Sequence, residues 1–465
     1  MLQETPAAAN PLGVQPIGRL LTKFAVPSIV SFLVSALYNI VDQIFIGQGV
    51  GTIGNAATNV AFPLTTISVA TALLFGIGTA ANFNLSLGAG DRERATRILG
   101  TGLSCLVLFG LALGAVVLIF LRPLLAAFGA TAENYSYAQT YAGITAFGLP
   151  LVVFSSGSSH LIRADGSPRY SMLCMVSGAI VNTILDPLFI FGFDMGIAGA
   201  ALATVLGQLL SALLALRYAF HYRTVRLTRQ HLRPGGALIR LIASLGLAPC
   251  FNQLAMTAAQ IAMNNTLKHY GALSVYGSDI PLACVGVITK VNMLFLGFVL
   301  GIAQGAQPII SFNYGARQYE RVRRTYRTAL CVASVFSVIA FLCFQIFPYQ
   351  ITALFGQGSE TYFAFSVKFF RIFLLMAFTN AVNPISSNFF TAIGKAKLGV
   401  LVSLTRQVIF LIPLVLIFPI FWGVEGVMYA GPIADGVSAA LAFLLALREL
   451  RRIRALPEGG GALPV

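Results

Sequence analysis

The sequence predicts an all-α integral membrane protein: twelve transmembrane helices in two pseudo-symmetric six-helix lobes, related as parallel repeats. Three observations lead there. Of its 465 residues, 57% are hydrophobic and 10% charged, with a mean hydropathy of +0.82, whereas a soluble domain carries about 25% charged residues. The apolar residues come in runs of roughly 20 or more, long enough to cross a ~30 Å hydrocarbon core as helices. Related segments also recur at matching places in the two halves. The ~10-residue alternation of a transmembrane barrel is not found. The composition excludes an ordinary globular enzyme.

Apolar stretches between polar punctuation place spans at 20–46, 57–86, 98–121, 135–160, 171–193, 197–220, 238–266, 281–312, 328–352, 361–390, 398–420 and 425–448. The first is read as an uncleaved span, because Arg19 and Lys23 directly precede a segment too long for a signal sequence. The longest polar connection, HYRTVRLTRQHLRPGG from residue 221, divides the spans six and six. It marks residues 1–220 as the first lobe, 221–237 as a cytoplasmic linker, and 238–465 as the second lobe with a cytoplasmic tail. GIGTAANFNLSLGAGDR (76–92) aligns without gaps onto GIAQGAQPIISFNYGAR (301–317), and ADGSPR (164–169) is echoed by AIGKAK (392–397). Six spans is an even number, so both halves insert the same way round and the lobe interface is the expected substrate site. Prolines inside spans (Pro27, Pro63, Pro150, Pro187, Pro308, Pro384, Pro413) favour bends or local unwinding.

Charge sets the orientation. With the even-numbered connections inside, nearly all of the 30 Lys and Arg are cytoplasmic. Only Arg122, Lys268 and Lys368 fall outside, and only Lys290, Arg371 and Arg406 fall within spans. This positive-inside pattern predicts a multi-pass inner-membrane protein with both termini cytoplasmic. The net charge of +15 then reads as a basic face lying on anionic lipid, with no nucleic-acid partner. Six scattered cysteines without a CxxC pair read as packing residues, and four histidines offer no ligand spacing, so no metal or cofactor is expected. GQGVGTIG (47–54) lies on the outer side without the strand and Gly-Lys of a phosphate loop. His160, beside Arg163 at a cytoplasmic helix end, reads as a solvated cap.

The ionisable residues left inside spans carry the chemistry, because each costs at least a few kcal/mol in hydrocarbon. Asp42 in YNIVDQIFIG and Asp186 in NTILDPLFIF each have a polar neighbour four residues earlier, Tyr38 and Asn182, on the same helix face. Asp186 lies about 22 Å and Asp42 about 27 Å from the cytoplasmic ends of their spans, and Thr204 enters from the other side to a compatible level. Tyr38, Asp42, Asn182, Asp186 and Thr204 can therefore line one pocket in the first lobe. Such an oxygen-rich set suits a hard monovalent cation such as Na⁺, and two close carboxylates also take up a proton. The same residue types also serve simply to hydrogen-bond helices together. The second lobe has no matching acid pair, since Glu425 sits at a span mouth and only Asp435 is deep. Its Lys290, Arg371 and Arg406, with Asn39 of the first lobe, are the substrate-binding candidates. For Arg371 and Arg406, snorkelling to the interface or satisfying helix-end carbonyls explains the positions as well.

These residues resemble one family over essentially the whole chain: multidrug and toxic compound extrusion (MATE) transporters, and in particular their DinF-like and MepA-like bacterial branch. The resemblance rests on YNIVDQIFIG, LIRADGSPRYSM, NTILDPLFIFGFDMGIAGAALAT and PIISFNYGAR. It implies a V-shaped secondary antiporter that works by alternating access as a functional monomer. Cationic or amphipathic drug-like molecules would leave in exchange for Na⁺ or H⁺, with a first-lobe polar site at Tyr38, Asp42, Asn182, Asp186 and Thr204. The branch of the family with an acid pair in the second lobe matches poorly, because span seven has no carboxylate. The alternative is a flippase of the same general architecture for an acidic lipid-linked saccharide, which the basic second-lobe residues favour.

Overall fold

The computed structural model describes residues 10–355 and 358–457. Twelve spans follow in order: α1 (Ile17–Gly49), α2 (Thr52–Gly88), α3 (Arg92–Ile119), α4 (Tyr135–Ala164), α5 (Pro168–Gly192), α6 (Gly196–Ala219), α7 (Gly236–Ala272), α8 (Asp279–Gly315), α9 (Tyr319–Ile346), α10 (Glu360–Phe373 with Ala377–Ala392), α11 (Ala396–Trp422) and α12 (Val424–Arg454). Eleven are long and apolar enough to cross a membrane singly, and α10 is a broken pair bent by 43°. Large apolar side chains such as Phe147, Phe220, Ile420, Phe421 and Trp422 stand exposed on the outside, where hydrocarbon rather than water solvates them.

Most of the helices outrun their apolar stretches at one end or both, because polar residues extend them into the interface and cap them. Asp91, for example, accepts the Arg94 amide at 2.9 Å at the start of α3. Two of the apolar stretches stop short. The third and ninth spans end at Ile119 and Ile346, and a short separate helix follows each, Leu121–Ala127 and Pro348–Ala353. At Pro348 the reason is plain, since proline begins a helix readily but cannot continue the preceding one.

The repeat is real, and its register differs from the one the sequence suggests. Gly88 of α2 lies against the Phe312 backbone of α8, and Gly315 of α8 lies reciprocally against Leu85 of α2. Gly88 therefore pairs with Gly315, two residues away from the register that matches Arg92 with Arg317. Glycine-rich segments align in several registers, and the contact selects one. The same pseudo-twofold relates Gly78 against Ile242 to Gly305 against Ala25, and Gly246 against Leu74 to Gly301 against Ile29. The turns ADGSPR and AIGKAK correspond as expected, with Gly166 (φ 85°) and Gly394 (φ 80°) both left-handed where the fourth span of each lobe ends.

These close approaches define the shape. The lobes meet through α1 on α8, α7 on α2, and α2 on α8. Every contact just named lies in the half of the helix next to the basic connections. One hydrophobic core spans both lobes there, from Leu20, Phe24 and Phe83 to Ile302, Phe312 and Tyr326. In the other half the core divides, with Ile46, Leu64 and Leu149 in the first lobe and Leu267, Phe344 and Phe370 in the second. The lobes are joined at the basic end and part toward the other, leaving a cleft. Interlobe hydrogen bonds sit at the joined end too: Asn82 Nδ2 to the Leu241 carbonyl at 3.3 Å, and Arg321 Nη2 to the Gln15 carbonyl at 2.7 Å. A side chain at Gly246 would displace the Leu74 backbone. Gly246→Val is therefore expected to open the basic end, raising several-fold the maleimide labelling rate of a Gln304→Cys probe in a chain otherwise free of cysteine. An unchanged rate would show that the seam tolerates separation of the two backbones.

Candidate functional site

In the divided half of the first lobe, α1 carries Tyr38 and Asp42 on one face, and α5, packed against it, carries Asn182 and Asp186. Glycine sets the spacing of the next helix. Gly178 of α5 and Gly207 of α6 face each other where a Cβ on either would meet the other's carbonyl oxygen at 2.7 or 2.6 Å. The two backbones therefore touch, and Asn182 comes against Thr204. The Asn182 carboxamide donates to Asp186 Oδ2 at 3.2 Å and accepts from the Thr204 amide, also at 3.2 Å.

Asp42 and Asp186 face each other within hydrogen-bonding reach. Asp186 is fully buried, Asn182 is 3% exposed and Asp42 is 8% exposed. Two carboxylates can share a hydrogen bond only when one holds a proton, since an ionised carboxylate has no hydrogen to donate. Asp42 Oδ1 is buried and accepts no hydrogen bond. Among the described residues, neither acid has a basic partner. Buried negative charge without compensation is expensive, so the pair calls for a species that would cancel it, a cation or a proton. The five residues named from the sequence are thus brought together.

Sequence reasoning missed a sixth. Tyr141 of α4 lies beside Thr204 and in the field of both acids, as Tyr38 does. Its signal was present, because a tyrosine two turns into the fourth span from the outer side lies at the depth of Thr204.

The second lobe lacks this arrangement. Counting from the paired interlobe contacts, Asp42 corresponds to Ala259, and counting from Gly166 and Gly394, Asp186 corresponds to Leu414. Both lie in the apolar core of the second lobe. The fifth span of each lobe contains a π-helical turn, Leu188–Gly192 after Pro187 and Thr405–Leu411 in α11. Asp186 lies just before one turn and Arg406 lies in the other.

The substrate-binding candidates separate. Arg406 is not free, because its Nε donates to Asp435 Oδ1 at 2.5 Å in a largely buried pair. Arg371 is exposed in the last turn before the break in α10, where a cation complements the carbonyl end of a helix. Asn39 and Lys290 are both exposed. Phe32 of α1 touches Gly297 of α8. Asn39 and Lys290 each lie seven residues, about 10.5 Å, beyond that contact on the same faces of these antiparallel helices. Among the described residues, Lys290 has no ion-pair partner. His160, read as a solvated cap, and Arg163 beside it are instead buried at 8% and 7% exposure in the lobe seam. The helix that carries them packs against α2 at the joined end.

A two-lobed bundle of twelve spans, joined at one end around a cleft and holding uncompensated acids within one lobe, is the architecture of a membrane transporter. The MatE family model matches this chain twice, at residues 27–188 and 249–417, once in each lobe. The chain belongs to the MATE family of transporters. It is 24% identical over 437 residues to the multidrug export protein MepA of Staphylococcus aureus strain N315, covering 92% of this chain and 93% of that one. MepA of Staphylococcus haemolyticus is 22% identical over 430 residues, with the same coverage. Among solved structures, an outward-facing multidrug resistance MATE transporter superposes with a TM-score of 0.89 at 23% identity, covering 97% of this chain and 100% of that one. A transporter of the same superfamily from Pyrococcus furiosus, described as having a binding pocket of reversed polarity, superposes equally well.

Tyr141→Phe removes a hydroxyl that stands beside the acid pair. It is expected to raise about 2- to 10-fold the half-saturating concentration of the cation that protects the protein from thermal unfolding, read in Na⁺ and pH titrations. Titration curves that superimpose on those of the unaltered protein would remove Tyr141 from the site.

Proposed function

We propose that this protein is a secondary multidrug efflux transporter of the inner membrane, exchanging cationic or amphipathic small molecules for Na⁺ or H⁺ by alternating access. The observation that carries the reading is the Asp42–Asp186 pair, buried and facing, without a basic partner and with one carboxylate oxygen unused. On this reading the basic end is cytoplasmic by the positive-inside rule, so the structure is open outward.

In the outward-open state a cation or proton entering from outside neutralises the pair. Neutralisation removes the repulsion between the carboxylates, α1 and α5 repack, and the bound drug loses its contacts in the cleft. Rocking of the lobes about the glycine seam then exposes the site inward and frees the cation. Drug and cation must each weaken the other's binding, or compete for one state, because linkage is reciprocal. The homology to multidrug export proteins over nine-tenths of both chains supports the substrate class.

Ethidium efflux from intact pump-deficient cells under imposed Na⁺ or proton gradients tests the mechanism. Asp42→Asn and Asp186→Asn are expected to insert normally and to lose gradient-driven efflux, and the gradient that drives the unaltered protein names the ion. Normal efflux in both variants would return the aspartates to a structural role.

What supports the second reading, a flippase for an acidic lipid-linked saccharide, is Lys290, exposed and without an ion-pair partner among the described residues, on the face of α8 that meets the Asn39 face of α1. Under the efflux reading, Lys290→Gln leaves ethidium export intact or improves it, because a positive charge repels a cationic drug. If the unaltered protein exports no ethidium and Lys290→Gln abolishes translocation of an anionic lipid in proteoliposomes, the flippase reading replaces it.

A further inference from the structure

We propose that the lobe seam at the basic end holds a small monovalent inorganic anion of about chloride's size, bound between Arg163 of the first lobe and Gln307 of the second. Arg163 lies at the end of α4, 7% exposed. It lines a small cavity with Ala80 and Asn84 of α2, His160 of its own helix, and Gln304 and Gln307 of α8. The cavity has room for about one water-sized guest. No carboxylate lines it.

The nearest acid in the chain is committed elsewhere. Asp165, two residues on, turns toward the interlobe linker. Its Oδ2 accepts from the Tyr218 hydroxyl and the Arg223 amide, each at 2.7 Å, and its Oδ1 accepts from the Thr224 amide at 3.0 Å and the Thr224 hydroxyl. Burial pushes the Asp165 carboxyl above the usual carboxylate range, and those hydrogen bonds hold it down. None of its acceptors is left for Arg163.

A guanidinium carries five N–H donors. At Arg163 only Nη1 is engaged, by Gln304 Oε1 at 2.7 Å and more distantly by His160 Nδ1 at 3.5 Å. Across the cavity, Gln307 Nε2 is buried and donates to nothing, and Asn84 Oδ1 is buried and accepts nothing. The Asn84 carboxamide can present its NH₂ instead, since the two ends of an amide are exchangeable at one site. The cavity is thus walled by unused donors around a buried positive charge. Water would satisfy donors but leave the charge uncompensated, whereas an anion supplies both and is what desolvation of the guanidinium calls for.

Because its ligands come from both lobes, the ion binds only while the basic end is closed. It therefore stabilises that conformation, and the opening of the seam splits the site and releases it. By linkage, the anion shifts the conformational equilibrium by as much as the two states differ in affinity for it. The inference is independent of which cation or drug is transported.

Thermal unfolding of the purified intact protein, with chloride, bromide or gluconate as the sodium salt at constant ionic strength, tests this. The expected result is a saturable rise in Tm with chloride or bromide and none with gluconate. Gln307→Leu should shift the halide midpoint about 5- to 10-fold upward, and Arg163→Gln should abolish the halide effect. Crystals soaked in bromide should show an anomalous peak between Arg163 and Gln307. Equal Tm in chloride and gluconate, a halide response unchanged in Gln307→Leu, or a bromide-soaked crystal without that peak would each overturn the proposal. If Arg163→Gln fails to fold, Gln307→Leu and the bromide peak still decide.

Discussion

A charge in hydrocarbon has no water to turn to, and much of this structure follows from how each ionisable group meets that constraint. The second lobe cancels its buried acids internally: Asp435 is held by Arg406, and Glu449 by Lys395. The first lobe leaves Asp42 and Asp186 facing each other with nothing basic beside them. Burying charge without a partner is strongly unfavourable, which is the constraint the proposed exchange of a cation or proton at this pair would meet. The same logic singles out Arg163, a lone buried guanidinium at the opposite end of the lobe from the acids.

Glycine makes the remainder possible. At the basic end the lobes touch backbone to backbone through Gly78, Gly88, Gly246, Gly301, Gly305 and Gly315, and there a single core crosses between them. Toward the other end each lobe keeps its own core, so the lobes can be joined and parted without dismantling either. Within the first lobe the same device acts at shorter range. Gly178 and Gly207 bring α5 and α6 into contact and so place Asn182 between Asp186 and Thr204. The functional asymmetry of the two lobes is then a matter of side chains on a shared frame, with Ala259 and Leu414 standing where the first lobe has its acids.

The legible part of this protein is the part that obeys a one-dimensional pattern. All twelve apolar stretches are helices in the expected order, because a span must satisfy its own backbone hydrogen bonds and so is specified by length and apolarity alone. The polar pairs at i and i+4 were readable for the same reason, since a helix fixes which neighbours share a face. Where two helices meet, the pattern carried less. The repeat register was misread by two residues because small residues match in several alignments, Tyr141 went unnoticed because no local spacing ties it to Asp42, and His160 was read as a solvated cap because a helix end looks solvated until a second lobe covers it.

By itself, then, the sequence determined the number and order of the spans, the two related halves and the charge-bearing positions of the first lobe, since each depends only on residues close together in the chain. Only the tertiary structure decided which end of the lobes is joined and which basic residues are already paired, as Arg406 is with Asp435. Those are questions of what lies across an interface, and in a bundle of helices they are answered by which backbones can come close enough to touch.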